Sequence, residues 1–418
     1  MPTDQMPPCR IEWPQKALVV LGASEEQIPL YREAQRRGIP TIGVDMRPDA
    51  PAFRLADAAL KVSTRDADAI ASALGDTRPA GIVCGASDAA LSSWHTLGRR
   101  YGFPYVYPKS ALAAGDKAAF HEIAASCGVA GYGWVASDNP DEIVAKAAAE
   151  LRFPLAVKPV DGSGSKGVVR VTRPDDLSAA VAHAHSFSAS QAVIAEEFCQ
   201  GRPLVIDIFM QGGRSKLTCI HDVEFSATSF AIKRLRSPAQ LPLAVRDRLE
   251  ATAERLCLAL GVTDGPADFD VILGTDGRER VIEANPRVGG DGITKLIAAA
   301  YGVDNVRALI SLALGEPFDV HLKPTRTAHA AVEVISSPLN VDGELVRWEG
   351  VAEARAVPGI TDLDLQAKPG DSVRPHSQSA HKIGLLVAAG SSAEDASASL
   401  EKASALIRPI VRPIKGAK

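Results

Sequence analysis

Apolar positions follow two rhythms along the chain. Over roughly the first hundred residues they come as short runs, "ALVVL" at 17–21, "TIGVD" at 41–45 and "GIVC" at 81–84. Each run is closed by glycine or a polar residue. Runs that short and that apolar suit parallel strands covered on both faces. Residues 28–37, ended by Gly38, predict a helix between the first two. Alternating strand and helix over about the first 110 residues implies an open α/β unit. Gly22 is followed by Ala23 and Ser24 without a G-x-G-x-x-G pattern, so an ordinary βα turn is the better reading there.

The rhythm changes from Asp116 onward. "DKAAFHEIAASCGVAGYGWVASDNPDEIVAKAAAELRFP" holds two helical stretches around a short strand-like piece. "LAVKPVDGSGSKGVVRV" reads as strand, glycine/serine loop, strand, with no obvious helix after the loop. "AVIAEEFCQGRPLVIDIFMQGGRSKLTCI" predicts more strands, with hairpin-type turns at Gly201 and at Gly212-Gly213. Residues 246–260 form a periodic helix stopped by Gly261, and "ADFDVILGTDGRERVIEAN" is a hairpin turning at Asp276-Gly277. Another helix begins at Thr294. Beyond Pro324, "RTAHAAVEVISS" and "HKIGLLVAAGSS" predict strands, and a helix capped by Ser392 follows, giving a small α+β unit. The "VRPIKGAK" end is expected to be loose.

Composition narrows the class. The 418 residues exceed one ordinary core, and 46% apolar with 23% charged residues fits a soluble globular chain of two or three domains. A net charge of -4 offers no general reason to expect nucleic acid. The six cysteines, Cys9, Cys84, Cys127, Cys199, Cys219 and Cys257, form no C-x-x-C pair, and no histidine cluster has zinc spacing. They read as small side chains in a reducing compartment. The start, "MPTDQMPPCRIEWPQK", lacks the apolar core of a secretory signal, and no apolar run approaches the ~20 residues of a membrane span. A cytoplasmic enzyme or binding protein, with no membrane and no nucleic-acid partner, is the expectation.

Two stretches carry candidate chemistry. In "VKPVDGSGSKGVV", Gly162, Gly164 and Gly167 lie between strands, with Lys158 before them and Lys166 among them. Glycines let backbone N–H groups approach phosphate, and the hydroxyls of Ser163 and Ser165 add donors. A flexible hairpin is the alternative, since the Walker pattern is absent. In the hairpin, positions symmetric about Asp276-Gly277 face each other, which sets Asp270 opposite Glu283. Asn285, two residues on, shares that face. Two facing carboxylates repel unless a cation lies between them. Asp270, Glu283 and Asn285 thus form a hard oxygen set for Mg²⁺, with Arg287 placed for phosphate or an oxyanion. The alternative is a solvated hairpin with ordinary surface charges.

These pieces fall in the order seen in one superfamily. The "DK" of Asp116-Lys117, the "VKP" with Lys158, the glycine loop, "AEEF" at 195–198 and "EANPRVGG" at 283–290 resemble the ATP-grasp carboxylate–amine and carboxylate–thiol ligases. The resemblance implies an ATP-grasp fold of mixed α/β and α+β class. Residues 1–112 would be an open α/β preATP-grasp domain, 113–323 the ATP-grasp domain and 324–418 a C-terminal α+β subdomain. It implies ATP with Mg²⁺, or Mn²⁺ in its place, as cofactors. Lys117 and Lys158 would contact phosphate, with Lys158 also near the adenine, and residues 162–167 would close over the β and γ phosphates. Glu196, Glu197 and Phe198 would line the adenine hinge, their backbone reading the base edge. Asp270, Glu283 and Asn285 would hold one or two metal ions, and Arg287 would stabilise the acyl phosphate and the tetrahedral intermediate. Two departures stand out. Gly201-Arg202-Pro203 lacks the ribose glutamate of many members, and Asp270 replaces their Glu or Gln.

"HKIGLLVAAGSSAEDASASLEKA" and "NPRVGG" resemble the L-amino-acid, dipeptide-forming ligases. That implies a carboxylate and an amine as small-molecule substrates, amino acids first among them, and a homodimer. Ligation of a non-peptide metabolite acid is the alternative within the enzymes, with bicarbonate activation further off. A nucleotide-binding protein without turnover and a regulatory scaffold are the other classes. Substrate contacts are sought in "IHDVEFSATSFAIKRLRSP", read as a loop carrying His221, Glu224, Lys233 and Arg236. Arg326 and His381 lie in the C-terminal part, with His381 read as structural or exposed.

Overall fold

The computed structural model describes residues 13–129 and 131–414; Cys9, most of the Pro-rich start and the last four residues lie outside them. The chain divides into two compact units, one ending at Tyr107 and reclaiming Ile310–Pro317, the other comprising Pro108–Leu309 and the chain from Phe318 onward. In the first, strands β1 (Leu18–Leu21), β2 (Thr41–Val44), β3 (Ala58–Leu60) and β4 (Gly81–Cys84) form a parallel sheet in the order β3-β2-β1-β4. Helices α1 (Ile28–Arg36), α2 (Ala67–Leu74) and α3 (Leu91–Tyr101) alternate with them. β1, β2 and β4 are buried at every position, as their apolar runs require. Asp45 follows β2 and accepts the N–H groups of Ala23 and Arg47, tying two strand-end loops together.

The second unit begins with α4 (Lys117–Ser126), β5 (Trp134–Ser137), α5 (Pro140–Glu150), β6 (Leu155–Pro159), β7 (Val169–Val171), α6 (Leu177–Phe187) and β8 (Val193–Glu197). Its strands make an antiparallel sheet, β5-β8-β6-β7. Ile143, Ala147, Val181 and Ala184 of the two helices α5 and α6 share a core with Leu155, Val157, Val193 and Ala195 of the sheet. Side chains alternate along strands, so Lys158 and Glu196 point to the other face. The helix α6 follows the glycine loop after one short strand, where the sequence showed none.

A larger sheet follows. β9 (Gly201–Gln211), β10 (Arg214–Phe225), β11 (Ile232–Ser237), α7 (Leu243–Ala259), β12 (Gly265–Gly274), β13 (Glu279–Asn285), α8 (Ile293–Tyr301) and α9 (Asn305–Ala313) come first. Then come β14 (His329–Ile335), β15 (Gly343–Glu349), α10 (Val351–Arg355), β16 (Ile360–Leu365), β17 (Ser372–Val373), β18 (Gly384–Gly390), α11 (Ala393–Leu406) and β19 (Arg408–Pro413). Eight strands run β13-β12-β9-β10-β11-β14-β18-β16, and three more form β17-β15-β19. The C-terminal strands β14, β18 and β16 therefore extend the sheet that carries the acidic hairpin. Ser392 caps α11 by accepting the Asp395 N–H at 3.0 Å, as expected. No single helix among the described residues is long and apolar enough to cross a membrane.

Three local expectations are corrected. Gly201 is not a hairpin turn: β8 and β9 belong to different sheets. It is glycine because a Cβ there would lie 2.3 Å from the Leu273 carbonyl oxygen of the neighbouring strand β12. The stretch with His221, Glu224, Lys233 and Arg236 is mostly strand, β10 and β11, with only residues 226–231 between them. The acidic hairpin turns one residue off the expected symmetry. Leu273 pairs with Glu279 and Val271 with Val281, then a bulge leaves Ile282 unpaired and restores Asp270 opposite Glu283 and Asp268 opposite Asn285. The expected facing pair is present because the turn and the bulge offset one another.

Candidate active site

One end of the candidate site forms on the face of the β5-β8-β6-β7 sheet turned away from α5 and α6. Lys158 Nζ on β6 lies 2.8 Å from Glu196 Oε2 on the adjacent strand β8, and both are almost wholly buried. His121 Nε2, one turn along α4 from Lys117, donates to Glu196 Oε1 at 2.7 Å. Its ring stacks on Trp134 at 5.2 Å and meets Tyr132 edge-on at 5.1 Å. Burial alone would raise the Glu196 carboxyl; Lys158 and His121 outweigh it and hold the group below its ordinary range. Glu197 points the other way, where Arg152 grips it through Nε at 3.0 Å and Nη2 at 2.9 Å. The N–H groups of Glu197 and Phe198 donate to the carbonyls of Gly133 and Pro154, both at 2.8 Å. Those two N–H groups are thus engaged within the chain, which leaves the carbonyl groups of this stretch as the backbone atoms that could meet a ligand. The Phe198 ring carries the Arg170 guanidinium 4.4 Å from its centroid.

Between the two ends lies the glycine loop. Gly164, Ser165 and Gly167 have φ of +65°, +62° and +70°, a run that turns backbone N–H groups along one concave path. A Cβ on Gly167 would lie 2.9 Å from the Phe187 side chain, so packing as well as conformation requires glycine there. Ser163 stands in the irregular part of the loop, and Ser165 Oγ donates to the Phe230 carbonyl at 3.0 Å. The Gly164 carbonyl accepts the Ser379 N–H at 3.3 Å. Lys117 Nζ donates to the Gly162 carbonyl and lies 3.2 Å from Glu283 Oε1, so one buried lysine joins the loop to the acidic hairpin.

On that hairpin Asp268, Asp270, Glu283 and Asn285 share a face, and Asp207 of β9 stands opposite Asp268. Asp270 is pushed up to about 7, by burial first and by Glu283 second. Burial raises Asp268 well above the carboxylate range, with Asp207 and Asp270 adding to it and Arg287 opposing. Asp268 Oδ1 and Asp207 Oδ2 are both buried, the latter 3.2 Å from the buried ring of His221. Such crowding of under-compensated carboxylates fits a divalent cation. Among the described residues no three His, Cys, Asp or Glu side chains form a ready-made metal site. Asp270 and Glu283 with the Asn285 amide are a partial shell of the kind that Mg²⁺ completes with water and substrate phosphates.

Arg287 is buried at the end of the hairpin, and its Nη1 donates to Asp268 Oδ2 at 3.0 Å. Three positions that sequence reasoning passed over or left aside lie in the same cluster: His121, Asp207 and Asp268. His121 was legible from its i,i+4 spacing to Lys117, and Asp268 from its period-2 spacing to Asp270. Of the substrate candidates, Lys233 pairs with Glu333 at 2.7 Å and Arg236 with Glu224 at 2.8 Å. His221 Nε2 lies 3.2 Å from Asp207 Oδ2, wholly buried. His381 Nδ1 sits 2.7 Å from the Pro375 carbonyl, a local backbone contact. Burial pushes the Cys199 thiol up to about 11, which makes it a poor nucleophile.

Comparison with known proteins bears on the fold. Residues 151–295 match the ATP-grasp domain family, and residues 338–412 match the L-amino acid ligase C-terminal domain 2. Protein y4rH of Sinorhizobium fredii is 27% identical over 351 residues, 82% of this chain and 71% of that protein. The formate-dependent phosphoribosylglycinamide formyltransferase of Burkholderia vietnamiensis is 26% identical over 411 residues, 94% of this chain and 95% of the enzyme. The crystal structure of the L-amino acid ligase from Bacillus licheniformis superposes with a TM-score of 0.80 at 18% identity, covering 95% of this chain and 99% of that one. The chain therefore has the carboxylate–amine ligase fold of the ATP-grasp superfamily and is related to the L-amino-acid ligases and to other ATP-grasp enzymes.

Proposed function

We propose that this protein is an ATP-dependent ligase that activates a small carboxylic acid as its acyl phosphate and transfers the acyl group to an amine, releasing ADP and phosphate. The observation that carries the reading is Lys117, which binds the glycine loop at Gly162 and reaches Glu283 on the acidic hairpin. It ties a phosphate cradle to a cation site, as phosphoryl transfer demands. In this reading the Lys158–Glu196–His121 group holds the base, and Lys117 with the loop's N–H groups holds the phosphates. Asp270, Glu283 and Asn285 hold Mg²⁺, which when bound neutralises phosphate charge. The substrate carboxylate takes the terminal phosphoryl group and ADP leaves. The amine then attacks the acyl carbon, loses a proton and expels phosphate. Arg287 offers its guanidinium to the oxygen that carries the developing charge. The glycine loop, once closed, keeps water from the acyl phosphate.

The acid is a small metabolite acid. The near full-length likeness to a formate-dependent formyltransferase supports acids outside the amino acids. A second reading, ligation of two amino acids, is favoured by the match of residues 338–412 to the L-amino acid ligase C-terminal domain 2. Both are tested by ADP release with MgATP across formate, other small acids and the amino acids, each alone and with amines, with masses taken of the products. A product equal to two amino acids less water establishes the second reading. Release with a simple acid and a non-peptide amine establishes the first. No ADP release with any pair refutes both. By resemblance we also propose a homodimer, to be checked by light scattering.

A further inference from the structure

Asp268 lies beside Asp270, Glu283 and Asn285, the residues proposed above to hold the metal. It stands opposite Asn285 and two residues before Asp270. One of its oxygens, Oδ2, is engaged: it accepts Arg287 Nη1 at 3.0 Å. A Cβ on Gly289 would fall 2.6 Å from Ile293 Cδ1, 2.8 Å from that same oxygen and 3.3 Å from Asp207 Oδ1. The Asp268 carboxylate is therefore held between a guanidinium on one side and a side-chain-free stretch of backbone on the other. Both Asp268 and Arg287 are less than a tenth exposed.

A buried ion pair of this kind rarely improves stability over apolar residues of the same volume. Crowding Asp268 against Asp207 and Asp270 makes it costlier still. The pair makes sense as a device for aim. A guanidinium presents its donors in a rigid planar fork, and it serves an oxyanion only if the fork is fixed before the charge develops. The Asp268 bond anchors Nη1, and the same nitrogen also reaches the Val288 carbonyl at 3.3 Å, so one arm of the fork is tied to the hairpin.

We infer that Asp268 is a positioning residue for Arg287, setting the guanidinium toward the phosphoryl group, and that Gly289 is glycine to leave room for that carboxylate. The inference rests on the ligase reading above and deepens it. It makes the "DFD" of β12 a divided pair: Asp270 serves the cation, Asp268 serves the arginine.

The test uses inorganic phosphate as the probe, titrated calorimetrically into the full-length protein saturated with MgADP. Variants are Asp268→Asn, Arg287→Ala, the double variant and Gly289→Ala. Asp268→Asn should weaken phosphate binding about tenfold, the scale of one lost charge-assisted bond. MgADP affinity should fall far less than phosphate affinity, because Asp270, Glu283 and Asn285 stay in place. In the Arg287→Ala background, Asp268→Asn should add nothing, because its effect passes through Arg287. Gly289→Ala, which presses on the same oxygen without removing a charge, should reproduce the selective loss when paired with Ile293→Val to relieve the contact with Ile293 Cδ1, and serves if Asp268→Asn does not fold. Additive losses in the double variant overturn the inference, as does equal loss of MgADP and phosphate, which would mark Asp268 as a metal ligand. A parent MgADP complex that binds no phosphate overturns it too. Failure of the parent to bind MgADP at all refutes instead the ligase reading beneath it.

Discussion

The two ends of the site treat buried carboxylates in opposite ways. At the base end Glu196 is nearly inaccessible, but two partners engage both of its oxygens, and the carboxyl is held below its ordinary range. At the acidic end Asp207, Asp268, Asp270 and Glu283 share a sheet face; Arg287 pairs with Asp268, Lys117 with Glu283 and the buried His221 lies beside Asp207, yet Asp270 is pushed up to about 7. The first cluster is complete within the chain. The second has more carboxylates than cations facing them among the described residues. A charge cluster that the protein balances itself asks for no further ion, whereas an unbalanced one fits a cation, as the proposed function requires.

The sharpest way to break this contrast is at Glu283. Glu283→Ala should lower Mg²⁺-dependent ADP release by a factor on the order of 100 or more, the loss expected of a metal ligand. Its thermal midpoint without Mg²⁺ should hold or rise, since a repulsion is removed. Turnover near the parent rate would show that the acidic end is not the metal site. Lys158→Met should do the reverse. It strips charge from the balanced end and should destabilise the fold by about 3 kcal/mol in urea unfolding, because a buried carboxylate loses a partner. A loss well under that would mean Glu196 is adequately held by His121 alone.

His121→Phe keeps the ring stack on Trp134 and deletes the bond to Glu196. The KM for ATP should rise about tenfold with kcat little changed; an equal fall in kcat would place His121 in the chemistry instead. The pH dependence has a definite sign. Asp270 titrates higher folded than unfolded, so its contribution favours the fold at low pH and is lost as pH climbs from about 4 to about 7. The metal-free protein should lose stability over that window, Asp270→Asn should flatten the loss, and MgADP should offset it. A slope unchanged in Asp270→Asn would assign it to another group. Smallest is Ser379→Ala. It removes the 2.6 Å bond from Ser379 Oγ to Asp291 but leaves Lys382 on that carboxylate at 3.0 Å, and should cost about 1 kcal/mol.

Legibility followed the range of the physics involved. Lys158, the glycine loop, Glu283, Asn285 and Arg287 were readable because each lies in a short stretch whose residue types and spacing point to one chemistry. The Asp270–Glu283 pairing was readable from strand symmetry, although the unpaired Ile282 was needed to correct a turn that sits one residue away from the expected centre. Gly201 was misread because close strand approach and turn formation ask for the same residue. Glu224, Lys233 and Arg236 were misread as loop residues because a solvated strand alternates polar and apolar positions only weakly when ion pairs such as Lys233–Glu333 occupy one face.

What the sequence determined by itself was local: the parallel strands of the first unit, the cap of α11, the glycine path and the acidic hairpin, all products of periodicity and turn chemistry within a few residues. What only the tertiary structure decided was partnership over distance. His121 meets Glu196 across 75 residues, Lys117 meets Gly162 across 45, and Arg287 meets Asp268 across 19. Sequence spacing carries no record of which strand lies beside which. Two chemically equal carboxylates two residues apart, Asp268 and Asp270, take different partners only because the bulged hairpin sets one opposite an amide and within reach of an arginine, and the other opposite a carboxylate.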